Sequence, residues 1–117
     1  MKLHTKILSK EDISFLISWG QAVMIPNDYD FVYEKQIPCL AVALIDGGIE
    51  TIKRSKVVET IPPSTLFGIH QIMNNERVKR GFRIKAGSTI VLISKSELMD
   101  AVNRPKSKLM QLIRKFL

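Results

Sequence analysis

From Ala22 to Ile93 the apolar residues come in short runs, and residues that form turns close each run. "CLAVALID" ends in Asp46-Gly47-Gly48, "AVMI" in Pro26-Asn27-Asp28, and "IETIKRSKVVETI" in Pro62-Pro63-Ser64. "VKRGFRIK" is followed by Ala86-Gly87-Ser88 and then by "TIVLI". Runs of about four to eight residues bounded this way are strands, and the continuous apolar ones suit buried strands. Two prolines in a row cannot donate ladder hydrogen bonds, so the sheet should break at Pro62. Asp46-Gly47-Gly48 is a strong hairpin signal. Within "IETIKR", Ile49, Thr51 and Lys53 should lie on the face opposite Glu50, Ile52 and Arg54. Many short strands at this spacing predict a β-sandwich or jelly roll.

Helices flank this middle. Ser9 and Asp12 have capping-box spacing, Glu11 and Asp12 suit the positive end of a helix dipole, and Ile13, Leu16 and Ile17 recur at helical spacing before Gly20. Ser94 and Glu97 form a second capping box, and Pro105 suits the first turn of another helix. Leu109, Leu112, Ile113 and Phe116 then form one apolar stripe, read first as core and second as an interface with a partner or a second copy. The expected class is mainly β with flanking helices, a jelly-roll or β-roll of the cupin-like double-stranded β-helix kind. One domain is expected over 1–117, with a leading helix in 1–20, the roll in 21–93 and closing helices in 94–117.

The chain has 117 residues, 45% of them hydrophobic, enough for a core without disulfides or a structural metal. Cys39, inside an apolar run, reads as a small buried hydrophobe. One cysteine with His4 and His70 cannot close a zinc site, so no metal is expected. No nucleophile elbow or triad spacing is present, and the chain reads as non-enzymatic. No run approaches the roughly 18 apolar residues of a membrane span, and the first twelve residues lack a signal-peptide core. The expected compartment is therefore the cytoplasm. Eighteen Lys and Arg against eleven Asp and Glu give a net charge of +7, which attracts nucleotides, nucleic acids or acidic proteins. Direct DNA binding is not expected, because no recognition-helix pair, zinc finger or aromatic-rich sheet is evident.

Three stretches together resemble the cyclic-nucleotide-binding domain, the β-roll of catabolite activators and of protein kinase A regulatory subunits. "LIDGGIETI" is similar to the family's strand, glycine turn and strand. "LFG", Leu66 to Gly68, is similar to the start of its phosphate-binding cassette, which here covers 66–80. "GFRIKAGSTIVLISKSELMDAV" is similar to its last two strands running into a capped helix. The resemblance spans about residues 9–117. It implies a signalling or regulatory domain with a ligand site around Phe67, Gly68, Ile69, His70, Arg77, Val78, Arg80 and Arg83. The family's Glu, which accepts from a ribose hydroxyl, and its Arg, which forks onto the cyclic phosphate, fall on Ile69 and Val78 here. An aliphatic side chain does neither job. Cyclic AMP should not bind in the usual way.

The stretch "RVKRGFRIK", residues 77–85, holds the remaining cations. Read as a strand, it puts Val78, Arg80, Phe82 and Ile84 on one face and Arg77, Lys79, Arg83 and Lys85 on the other. The resemblance turns the first face inward, so Arg80 needs a partner. Three readings stand at this point. Arg80, with Arg77, holds a nucleotide such as cyclic di-GMP or another anion. Arg80 pairs with a carboxylate of the protein, with Glu34, Glu50 and Asp46 as candidates, or exits to solvent. Or the chain is a ligand-free scaffold whose basic strand and last helix meet an acidic partner or a second copy.

Overall fold

The computed structural model describes residues 6–116, and His4 lies outside them. In chain order the elements are β1 (Lys6–Ile7), α1 (Lys10–Trp19), β2 (Val23–Met24), β3 (Tyr29–Val32), β4 (Leu40–Asp46), β5 (Ile49–Lys53) and β6 (Lys56–Ile61). β7 (Thr65–Phe67), α2 (Ile69–Met73), β8 (Gly81–Ile84), β9 (Thr89–Ser94), α3 (Lys95–Val102) and α4 (Lys108–Arg114) follow. The strands form two antiparallel sheets, one in the order β1-β7-β4-β9-β2 and one in the order β3-β8-β5-β6.

Strand alternation divides the core in two. On β4, Val42 and Leu44 face the second sheet, where they join Phe67, Ile90, Ile49, Ile61, Phe82, Ile84 and Val32. Ala41 and Ala43 face the other way, with Leu66, Val91 and Ile93, against Leu16, Leu98, Leu112 and Ile113 of the helices. The first sheet is thus covered on both faces, which is why "LAVALI" is apolar without interruption. The second sheet shows its outer face to water: Ile49 and Thr51 are buried while Glu50 and Ile52 are not. The result is a β-roll with a helical layer on one side, in the expected fold class.

Both predicted capping boxes are formed. Ser9 Oγ accepts from the Asp12 N–H at 3.1 Å, and Asp12 Oδ2 accepts from the Ser9 N–H at 3.1 Å. Ser94 and Glu97 do the same at 3.1 and 2.9 Å.

Five expectations need correction. Asp46-Gly47-Gly48 does not close a hairpin, because β4 pairs only within the first sheet and β5 only within the second. The turn carries the chain between sheets. Gly47 has φ +95° and packs against Ser88, whose Oγ accepts from the Gly48 N–H at 3.1 Å. The real hairpin is β5–β6, turned by Arg54 and Ser55, both at positive φ as a two-residue type I′ loop requires. Cys39 is exposed, because it stands at a bend just before β4 begins. Ile17 is exposed, since α1 rests on Leu16 with Ile13, Phe15 and Trp19 beside it. Pro105 precedes α4, whose cap is Ser107, with its Oγ accepting from the Met110 N–H at 3.1 Å. Finally, Leu109, Leu112, Ile113 and Phe116 are all buried in the chain's own helix-side core. They are not an open face for a second copy.

Acidic pH should weaken this fold. Burial works to raise the Asp12 carboxyl, but hydrogen bonds from Lys115 and Ser9 outweigh it and hold the group below the usual range. The Lys85 hydrogen bond, then the Ala86 N–H, hold Asp28 low as well. A carboxyl lowered in the folded state stabilises above its unfolded pKa and loses that contribution as pH falls through the folded one. Urea midpoints should therefore hold steady down to about pH 4 and drop below it. In Asp12→Asn the drop should be shallower.

Candidate functional site

The cassette region starts at β7, whose three residues are all buried because it pairs with β4 on one side and β1 on the other. Gly68 follows at φ +105°, where an added Cβ would lie 3.1 Å from the Ala41 Cα and the Leu40 carbonyl oxygen. Only glycine turns the chain this close to β4. The five-residue α2 follows directly, so "LFG" runs into a short helix.

The side chains then depart from a ligand site. Ile69 is 2% exposed and lies in the helix-side core with Leu8, Leu16, Leu66 and Ile72. Val78 is 5% exposed and lies in the core between the sheets. Its N–H donates to the Gln36 carbonyl at 2.8 Å and its carbonyl accepts from the Lys35 N–H at 2.8 Å, zipping this loop to the segment after β3. Phe67 stacks on Phe82 with ring centroids 3.9 Å apart, and Phe31 approaches both at 5.8 and 5.9 Å. Rings and branched aliphatics fill the space beside Phe67. His70 is half-buried, with Nε2 at 3.1 Å from Glu76 Oε2 and Nδ1 at 3.3 Å from Asn74 Nδ2.

Four of the five cations in residues 77–85 have partners. β8 is shorter than expected and begins at Gly81, so Arg80 stands just before it. Its side chain is 14% exposed, and Nη1 donates to Glu59 Oε1 at 2.8 Å. The partner is a carboxylate of the protein, but on β6 and not Glu34, Glu50 or Asp46. Arg77 Nη1 donates to the Lys35 carbonyl at 2.7 Å. Arg83 Nε donates to Asp30 Oδ1 at 2.7 Å, and Lys85 Nζ reaches Asp28 at 2.8 Å and Glu50 at 3.4 Å. The hydrogen bond to Asp30 raises the Arg83 pKa, and the one to Asp28 raises that of Lys85. Arg83 also lines a cleft of about 320 Å³ on the outer face of the second sheet, floored by Gly81 and walled by Tyr33, Glu34 and Ile52. Arg77, Arg80 and Arg83 therefore do not converge on one point. The residues that reasoning from sequence missed are Glu59, Asp30 and Asp28. Only the cross-strand register, Glu50↔Arg83 and Asp30↔Arg83, puts such acids beside the cations. Among the described residues no cluster of three His, Cys, Asp or Glu is placed to hold a metal ion, and no helix is long and apolar enough to cross a membrane.

No family model matches the sequence, and no curated protein is similar to it at a significant level. Solved structures are similar in fold. A chain from work on a cyclic-GMP-dependent signalling pathway that regulates bacterial phytopathogenesis matches with TM-score 0.71 at 12% identity, over 93% of this chain and 90% of that one. The catabolite activator protein of Thermus thermophilus matches with TM-score 0.61 at 12% identity, over 83% of this chain and 48% of that one. A cyclic nucleotide-binding-like protein from Brucella abortus matches with TM-score 0.60 at 13% identity, over 81% and 85%. Two antiparallel sheets, a short helix after β7 and helices on the outer face of one sheet are thus arranged as in these structures: the chain has the β-roll fold of cyclic-nucleotide-binding domains.

Proposed function

We propose that this chain is a non-catalytic regulatory β-roll that works by contacting another protein, and that it takes no cyclic mononucleotide at its cassette. One observation carries the reading: both positions where the resemblance expects a polar anchor, Ile69 and Val78, are packed into apolar cores. Arg80, the inward guanidinium of the stretch, already pairs with Glu59. A cyclic phosphate would have to displace that carboxylate and gain nothing at Ile69. Two of the similar structures are a chain from work on a cyclic-GMP-dependent signalling pathway and a catabolite activator protein, which supports a regulatory role.

Calorimetric titration with cyclic AMP, cyclic GMP and cyclic di-GMP tests this. No heat and no thermal shift are expected from any of them, whereas a ligand at 100 times its dissociation constant would stabilise by about 2.7 kcal/mol. Arg80→Ala should cost about 1 kcal/mol, from the lost Glu59 pair and the buried stem of the side chain. Saturable nucleotide binding that Arg80→Ala abolishes would establish the sensor reading instead, with Arg77, Arg80 and Arg83 rearranged around the ligand.

A further inference from the structure

The excess positive charge is not spread evenly. Residues 1–100 hold thirteen Lys and Arg against eleven Asp and Glu, whereas residues 101–117 hold five cations and no acid. On the second sheet Arg80, Arg83 and Lys85 each face a carboxylate. In the last helical layer, Arg104 has an open pair with Asp100 at 3.5 Å, Arg114 donates to the Pro105 carbonyl at 2.8 Å, and Lys115 pairs with Asp12 at 2.9 Å. Lys106 and Lys108 have no carboxylate partner among the described residues, and both are exposed.

This unneutralised charge borders a groove. Two adjoining clefts between α1 and α4, of about 440 and 320 Å³, share Glu11, Phe15 and Lys108. Lys10 and Ser18 line the first, and Gln111 and Lys115 the second. Phe15 is half-buried and packs on the helix-side core, so its open edge gives the groove an apolar floor.

Resting on the reading of the chain as a protein-contacting domain, we propose that the α1–α4 groove docks an acidic segment of a partner protein. That segment sets carboxylates against Lys10 and Lys108 and an aliphatic side chain against Phe15. Charge complementarity names its sign, because the chain itself supplies no acid to Lys108. The apolar floor at Phe15, flanked by cations on both helices, favours a peptide over a flat bilayer.

The test uses the full chain and a fluorescein-labelled peptide, Glu-Asp-Glu-Leu-Glu-Asp-Glu, followed by anisotropy. Saturable binding is expected, weakened at least about tenfold by Lys108→Glu and left unchanged by Lys53→Glu, the same charge change on the far sheet. Glutamate at position 108 stands in the first turn of α4, where the helix dipole favours it, so this variant should fold. Replacing the central leucine of the peptide by serine should weaken binding severalfold. Absence of saturable binding, equal loss in the two variants, or equal binding of the serine peptide would overturn the proposal. So would a DNA duplex or phosphatidylserine-containing vesicles bound as tightly as the peptide and insensitive to Lys108→Glu. A positive nucleotide titration would sink the ligand-free reading of the cassette and leave this result standing.

Discussion

Ile69→Glu and Val78→Arg, which put at the two anchor positions the residue types that the resemblance implies, should destabilise this protein by roughly 4 kcal/mol or more each and confer no affinity for cyclic AMP. The two positions are 2% and 5% exposed, and aliphatic side chains surround them. A charge placed there is desolvated with no partner, a penalty comparable to the whole stability of a small domain, about 5–15 kcal/mol. The two variants should differ in their pH response. A buried glutamate escapes by holding its proton, so its folded pKa rises. Its deficit relative to wild type should shrink as pH is lowered toward about 4. Arginine has no such escape, and its deficit should persist at every pH. Urea unfolding across pH separates the cases. A Val78→Arg variant that unfolds at the wild-type midpoint and binds cyclic AMP would show that the cassette is merely unliganded, not refilled.

Phe82→Ala should cost about 3–5 kcal/mol, the range for removing a buried aromatic ring. Phe82 is stacked on Phe67 at 3.9 Å and lies 5.9 Å from Phe31, so its loss removes ring–ring contacts as well as buried area. The hole would open between the two sheets, where strands pinned by their ladders relax little. Phe82→Leu should recover most of the loss. Because Phe82 lies in β8 and Phe67 in β7, the ring pair ties the two sheets together beside the cassette. The same change should therefore also weaken protection of the Val78 amide in hydrogen exchange. A cost below about 1 kcal/mol would mean that the rings do not hold the sheets together.

Much of the fold could be read from sequence because its rules are local. A Ser three residues before an Asp or Glu makes a capping box from its own neighbours, and Ser9 and Ser94 did so without help from the rest of the chain. Alternation put Ile49 and Thr51 on one face of β5, the face that proves buried, and the continuous run in β4 announced a buried strand. The resemblance located "LFG", its short helix and the loss of both polar anchors.

What went unread depends on which strands become neighbours. Asp46-Gly47-Gly48 has hairpin residues, yet the tight packing of Gly47 on Ser88, forty-one positions away, makes it a crossing between sheets. Arg80 needed a partner on any reading. That the partner is Glu59 follows from the path of β6 along the edge of the second sheet, which no spacing in the sequence encodes. The stripe on α4 has the pattern of either a core or an interface, and only its seat on the first sheet made it core. By itself the sequence determined the main strands, the flanking helices and the two capping boxes, because these depend on residues within one or two turns. The tertiary structure alone decided which charges are neutralised and where space is filled. Those outcomes depend on distances between residues far apart in the chain, and in a stretch that resembled a phosphate site they paired Arg80, Arg83 and Lys85 with carboxylates of the protein.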